Sequence, residues 1–206
     1  MTAHEGRVGR RRASSRAMLE EAACELFLEQ TYAGTTIEQI TQRAGVSRNT
    51  FFNYFAAKSD VLWSGVDDSV ETLARELSNL PRGAHVMLGV RDALLATATQ
   101  LTPGAIPLAI TQWETMGVAE ELQSSGLARF LRLASVLERH VAAAQLGSPA
   151  RVPAQPAAFA VIAAAASAAG AWARAGIGRD PLVDYVAAAI TPVCSGFEQV
   201  LGSASR

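Results

Sequence analysis

The sequence predicts an all-α fold, with a small N-terminal helix-turn-helix unit followed by a longer run of helices. Three observations carry this. Alanine is abundant while Val, Ile, Thr and aromatic residues are sparse outside a few places, a bias toward helix over strand. Apolar residues recur at three- and four-residue spacing, and no alternating pattern of useful length occurs. Sharp Pro/Gly breaks separate the periodic stretches. Half of the 206 residues are hydrophobic and 18% are charged, which argues against disorder and allows one large or two small domains, each with its own core.

In chain order, residues 1–15 read as a basic N-terminal arm, with Arg7, Arg10, Arg11 and Arg12 and then Arg16 beyond it. Residues 1–58 hold eight basic against six acidic side chains, and residues 59–206 hold ten against thirteen, so the net charge of −1 hides an uneven distribution. Such an arm either solubilises or touches phosphate. Ala17 to Glu29 reads as a helix with Leu19, Ala23, Leu26 and Phe27 on one face, broken by Tyr32-Ala33-Gly34. Thr35 and Glu38 have capping-box spacing and start a second helix, which buries Ile37, Ile40 and Ala44. Gly45 ends it, because glycine takes the left-handed conformation without steric cost, and Ser47 caps a third helix. Two short helices joined through Gly45-Val46-Ser47 make a helix-turn-helix.

From Ser59 to Leu80, the residues Trp63, Val66, Val70, Leu73, Leu77 and Leu80 form a narrow seam on a long amphipathic helix, with Asp67, Asp68, Glu71 and Glu76 on a solvated face. Pro81-Arg82-Gly83 is a break. Further helices are predicted over 84–101, 103–116, 119–146, 156–176 and 181–202. Asp180 caps the last and Pro192 kinks it. The domain division expected is an arm over 1–15, a helix-turn-helix domain over 16–62, and a helical domain over 63–206.

Several classes of chemistry find no support. Cys24 and Cys194 are far apart with no CxxC pair, so neither a disulfide framework nor a zinc site is expected, and a reduced cytoplasm fits. His4, His85 and His140 are scattered; no HExxH, Walker A or GxSxG motif occurs, and Gly176-Ile-Gly178 follows no strand. No catalytic residue, cofactor or metal is therefore expected. No signal-peptide pattern follows the arginines. The uncharged stretch 152–173 is mostly alanine and is interrupted by Pro153 and Pro156, so no membrane partner is expected.

The segment Gly45–Lys58, GVSRNTFFNYFAAK, concentrates aromatics in a chain that is only 6% aromatic. On a helical wheel, Phe51 and Phe55 share one face and can pack on Leu26, Phe27, Ile37 and Ile40. A helix of about two turns cannot stand alone, so two large rings anchor it. The opposite face carries Asn49 and Asn53, one turn apart, with Arg48, Thr50, Phe52 and Tyr54 around them. That inventory suits a DNA major groove. Asn pairs with the edge of adenine, Arg with guanine, and an apolar ring meets a thymine methyl. Thr50, Tyr54 and Lys58 are placed to reach phosphates. The same residues also fit an ordinary two-helix corner facing solvent.

TTIEQITQRAGVSRNTFFNYFAAKSDVL, with EEAACELF before it, resembles the DNA-binding domain of the TetR family of bacterial transcription regulators, over roughly residues 16–63. The resemblance implies that Arg48, Asn49, Thr50, Phe52, Asn53, Tyr54 and Lys58 face DNA while Phe51 and Phe55 are core. Two positions depart from the family pattern: Phe52, where members usually have Tyr, and Thr31, where most have Gly. The resemblance further implies a cytoplasmic homodimer that binds a double-stranded operator and releases it, by family default as a repressor, when a small molecule enters the C-terminal domain.

The second half supports this in part. Ala163, Ser167 and Ala171, with Ala166 and Gly170, let helices approach closely. With Val183, Val186, Ala187, Ile190, Val193 and Phe197 on the last helix, they fit a four-helix bundle across a two-fold axis. Two reading helices would then meet half-sites about 34–36 Å apart. Larger side chains on the middle helices, namely Trp113, Met116, Phe130, Leu133, Leu137, His140, Phe159 and Trp172, are candidate walls for an apolar ligand. The arginine-rich opening and the layout faintly resemble a branch with acyl-CoA-like ligands. A helical protein-interaction module, or a small-molecule enzyme without DNA binding, is the alternative.

Overall fold

The structure, a computed structural model, describes residues 5–80, 85–101, 108–146, 153–176 and 178–203, with side chains from 15 to 200. Every regular element among them is helical. Pro81-Arg82-Gly83 and Arg7, Arg10, Arg11 and Arg12 as side chains lie outside the described set. The chain divides into two units: residues 1–64 with 107–125, and residues 65–106 with 126–206.

The first unit is built on α1 (Glu5–Gly34), α2 (Ile37–Arg43) and α3 (Arg48–Phe52), followed by a 3₁₀ turn, Lys58–Trp63. The stretch expected as an arm is helical from Glu5, consistent with the helix propensity of its arginines and alanines. Arg16 is not part of a free basic surface: its Nε donates to Glu20 at 2.9 Å and its Nη2 to the Ser64 carbonyl at 3.2 Å. The break in α1 falls at Gln30 and Thr31, earlier than expected, and Thr31 has φ 66° and ψ 164°. The capping box is also one residue later than predicted. Thr36, not Thr35, accepts from the Gln39 N–H at 3.2 Å, and Gln39 Oε1 accepts from the Thr36 N–H at 2.8 Å. Thr35 is instead buried and donates its hydroxyl to the Thr31 carbonyl at 2.8 Å.

The core of this unit unites Leu19, Ala23, Leu26 and Phe27 with Ile40, Phe51, Phe55, Val61 and Leu62, all under 5% exposed. Burying a side chain of this size contributes roughly 1.5–3 kcal/mol. Two short helices, α6 (Leu108–Thr111) and α7 (Trp113–Met116), close the same core through Ala109, Met116 and Val118. Residues 108–125 therefore pack with the N-terminal unit rather than with the domain to which their sequence position assigned them.

The second unit contains α4 (Ser64–Ser78) from Gly65 on, α5 (Val86–Gln100), α8 (Ala119–Ala144) from Gly126 on, α9 (Ala154–Arg174) and α10 (Leu182–Ser203). The predicted seam is correct for Val70, Leu73 and Leu77, which are buried. Asp67 is not on a solvated face. The guanidinium of Arg129, itself buried, grips its carboxylate from Nε at 3.1 Å and Nη2 at 2.8 Å, and Arg132 adds a contact at 3.5 Å. Helical α10 packs against α9 and α5. Val186 and Ile190 face that contact and are buried, so they do not supply the outward face expected of them. The outward face of α10 carries Ala188, Pro192 and Gly196, and that of α9 carries Ala163, Ala166, Ser167 and Ala171. By length and composition α9 could cross a membrane, but its mean hydropathy of 1.5 comes largely from alanine. An alanine and serine face gains little from lipid.

Candidate nucleic-acid interface

The site begins at the turn. Gly45 has φ 65°, the left-handed conformation that lets α2 stop and the chain reverse. Its amide bonds the Gln42 carbonyl at 3.2 Å, and Val46 N–H bonds the Thr41 carbonyl at 3.0 Å. Ser47 then caps α3: its Oγ accepts from the Thr50 N–H at 3.1 Å and lies 2.9 Å from the Thr50 hydroxyl. Helix α3 is shorter than predicted, ending at Phe52 with Asn53 as its C-cap, yet hydrogen bonds from Tyr54 and Phe55 to the Phe51 carbonyl carry the turn onward. Phe51 and Phe55 are buried, their rings 5.4 Å apart.

With those rings inside, Asn49 and Asn53 are both solvent-exposed, as is Phe52 at 46%. Tyr54 is half-buried and packs on the core, leaving only part of its surface outward. The Arg48 guanidinium lies 5.6 Å from the centre of the Phe52 ring and is ion-paired with the Glu38 carboxylate of α2. Phe52 stands edge-on to Phe51, 5.5 Å away, so the exposed stack is footed on the core.

Lys58 departs from expectation. Its ammonium donates to the carbonyls of Tyr32 and Thr35, each at 2.7 Å, and lies 3.9 Å from the centre of the Tyr32 ring. Desolvation there lowers its pKa, with Glu121 opposing. A cation at the carbonyl end of a helix is stabilised by the unpaired acceptors, which explains why it turns inward rather than toward solvent. Burial raises the Tyr32 phenol to about 12, with the Glu121 charge adding to it.

Two groups that sequence spacing did not single out stiffen the base. Arg43 forms a forked pair with Glu29 at 2.6 and 2.8 Å, which holds the Glu29 carboxyl below its ordinary pKa. Gln30 donates to Gln39 Oε1 at 3.1 Å and to Thr35 Oγ1 at 3.3 Å. Both join different helices, so only folding brings them together. Glu38 is the third, missed because it was assigned to the capping box.

Of the candidate ligand-pocket residues, Met116 is fully buried and Trp113 partly buried in the core of the first unit, so neither lines a cavity of the second. Their positions are fixed by α7, which packs on α1. The others lie in the second unit. Phe130 and Phe159 meet edge to face at 5.5 Å, Leu133 is half-buried, and Leu137 is fully buried. His140 is half-buried with its pKa lowered by desolvation. Trp172 is already engaged: its indole N–H donates to the Asp180 carbonyl at 3.0 Å and Arg179 stacks on its ring at 3.6 Å.

A three-helix base, a capped glycine turn and a short outward-facing polar helix define a helix-turn-helix DNA-binding domain. Residues 19–62 match the profile described as bacterial regulatory proteins, tetR family, which covers the helix-turn-helix segment of this chain. Over 96 residues it is 32% identical to MftR of Mycobacterium tuberculosis strain H37Rv, named as a candidate regulator of mycofactocin biosynthesis, covering 47% of this chain and 48% of that one. The chain thus spans about half the length of that relative. Among solved structures, NalD of Pseudomonas aeruginosa, the secondary repressor of an efflux pump, aligns with a TM-score of 0.58 at 22% identity, over 88% of this chain and 94% of that one. FadR of Thermus thermophilus, solved with lauroyl-CoA, aligns at 0.57 and 21% identity, over 88% and 94%. At these identities the two structures establish a shared fold.

Proposed function

We propose that this protein is a cytoplasmic, homodimeric transcription regulator, a repressor that binds a palindromic operator and is released by a small apolar or amphipathic molecule. The observation that carries the DNA reading is the outward display of Asn49 and Asn53, one helical turn apart, on a stub anchored by Phe51 and Phe55. Arg48 and Thr50 at the start of α3 complete the reading edge, and Phe52 and Tyr54 flank it. Lys58 is left as a buttress of α1 rather than a phosphate ligand.

For dimerisation, the outward alanine, serine and glycine positions of α9 and α10 support a close four-helix contact across a two-fold axis. For the effector, Phe130, Leu133, Leu137, His140, Phe159 and Trp172 remain the candidate surroundings. The lauroyl-CoA bound by FadR makes that acyl-CoA the first compound to try. The decisive experiment is selection from a pool of randomised duplexes followed by binding at several salt concentrations. Enrichment of a palindrome with a steep salt slope is expected. Asn49→Ala with Asn53→Ala should abolish the base preference while retaining weak, salt-sensitive binding. Equal binding of all duplexes by the native chain would overturn the reading.

A further inference from the structure

Glu38 belongs to no capping box, yet it is the residue that fixes the side chain at the head of the reading helix. It stands in the first turn of α2, on the solvent side, and its carboxylate pairs across the turn with the Arg48 guanidinium. That guanidinium is also held against the Phe52 ring, which rests edge-on against fully buried Phe51. A chain of contacts therefore runs from the core through two rings to one arginine and ends on one carboxylate. We infer that Glu38 is a positioning residue that sets the base preference of Arg48 and at the same time weakens indiscriminate binding to phosphate.

Two properties follow from the chemistry. Arginine carries five N–H donors in a rigid fork, and one anchored edge limits the directions in which the remaining donors can be presented. A freely rotating arginine instead meets whichever phosphate oxygen is nearest, since phosphate contacts carry no sequence information. The Glu38 charge stands beside Arg48, so any phosphate approaching the guanidinium also meets a carboxylate. The pair is exposed on both sides, at 59% and 62%, so its contribution to folding is small and its loss should leave the domain intact.

The inference rests on the DNA-binding reading, and the test separates the two. The full chain and its Glu38→Ala, Glu38→Gln, Arg48→Ala and Glu38→Ala/Arg48→Ala variants are each put through selection on randomised duplexes and titration against non-specific duplex. In Glu38→Ala one base position in each half-site should lose about tenfold of its discrimination. Non-specific affinity should rise about fivefold, and the salt slope should steepen by about 0.9 per protomer as Arg48 takes a phosphate. Glu38→Gln keeps an acceptor for the guanidinium, so it should retain the base preference while sharing the rise in non-specific affinity. In the Arg48→Ala background, Glu38→Ala should no longer alter that base position. Thermal midpoints should move by no more than about 2 °C. A Glu38→Ala motif identical to the native one overturns the inference and leaves the DNA reading standing. Additive effects in the double variant overturn it equally, because Glu38 would then act independently of Arg48. Absence of any motif for the native chain overturns both.

Discussion

Replacing Thr31 with glycine should stabilise the protein, and the reason is visible in its backbone. Thr31 sits at φ 66° and ψ 164°, a region populated almost entirely by glycine. A β-branched residue held there costs roughly 1–3 kcal/mol. The conformation is imposed by its surroundings: the Thr31 carbonyl accepts the Thr35 hydroxyl at 2.8 Å, and the chain must turn between the kink at Gln30 and Thr31 and the start of α2 at Ile37. Thr31→Gly keeps that backbone acceptor and removes the strain. The side chain it loses is exposed. It also gives the unfolded chain more freedom, which offsets roughly 0.4–1 kcal/mol. The balance is a gain of about 1 kcal/mol, or a thermal midpoint higher by about 4–8 °C for a unit of the size of the first. Differential scanning calorimetry or urea unfolding followed by circular dichroism would measure it. Thr31→Ala is the control, because alanine keeps the Cβ that makes the conformation unfavourable. A gain in Thr31→Ala as large as in Thr31→Gly, or a loss in Thr31→Gly, would refute the argument. The same position is one where the family resemblance led us to expect glycine.

Asp67→Ala should destabilise the second unit by about 2–3 kcal/mol in urea unfolding, since it removes the carboxylate that the buried Arg129 guanidinium grips; Asp67→Leu with Arg129→Met should recover most of that loss. Lys58→Ala should lower stability by about 2 kcal/mol through two lost charge-assisted bonds, whereas a lysine that only touched phosphate would leave unfolding unchanged. Burial raises both thiols, Cys24 and Cys194, to about 11, so at pH 7.5 they should react with a thiol reagent far more slowly in the folded chain than after unfolding. Because the unfolded thiols ionise first, near 9, stability should fall as pH rises from about 9 through 11, and Cys24→Ala should shallow that fall.

Periodicity found the core faces because each can be read within one helix. Leu19, Ala23, Leu26 and Phe27 lie on one stripe, and so do Val70, Leu73 and Leu77. Local stop and start signals worked for Gly45 and Ser47, whose roles depend on adjacent residues alone. The failures are contacts between elements. Asp67 looks solvated on its own helix and is gripped by a residue 62 positions away. Met116 looks like a middle-helix side chain and closes the N-terminal core. Thr35 and Thr36 are both plausible caps, and the choice was made by Gln39, which supplies both halves of the box around Thr36. Lys58 matched the motif, but a motif does not report which way a long side chain turns.

The aromatic density that singles out residues 45–58 divides the labour of a very short helix. Five residues of α3 cannot hold themselves in helical form, so its stability is tertiary and comes through Phe51, Phe55 and the Ser47 cap. The lysine that follows ties the exit of the segment to the end of α1. None of these anchors uses the face that carries Asn49 and Asn53. Recognition and stability are therefore separable here, and substitutions on the outward face can change what is read without unfolding the reader. The reverse does not hold. Phe51→Ala should cost about 3–5 kcal/mol and remove the stub along with its reading edge.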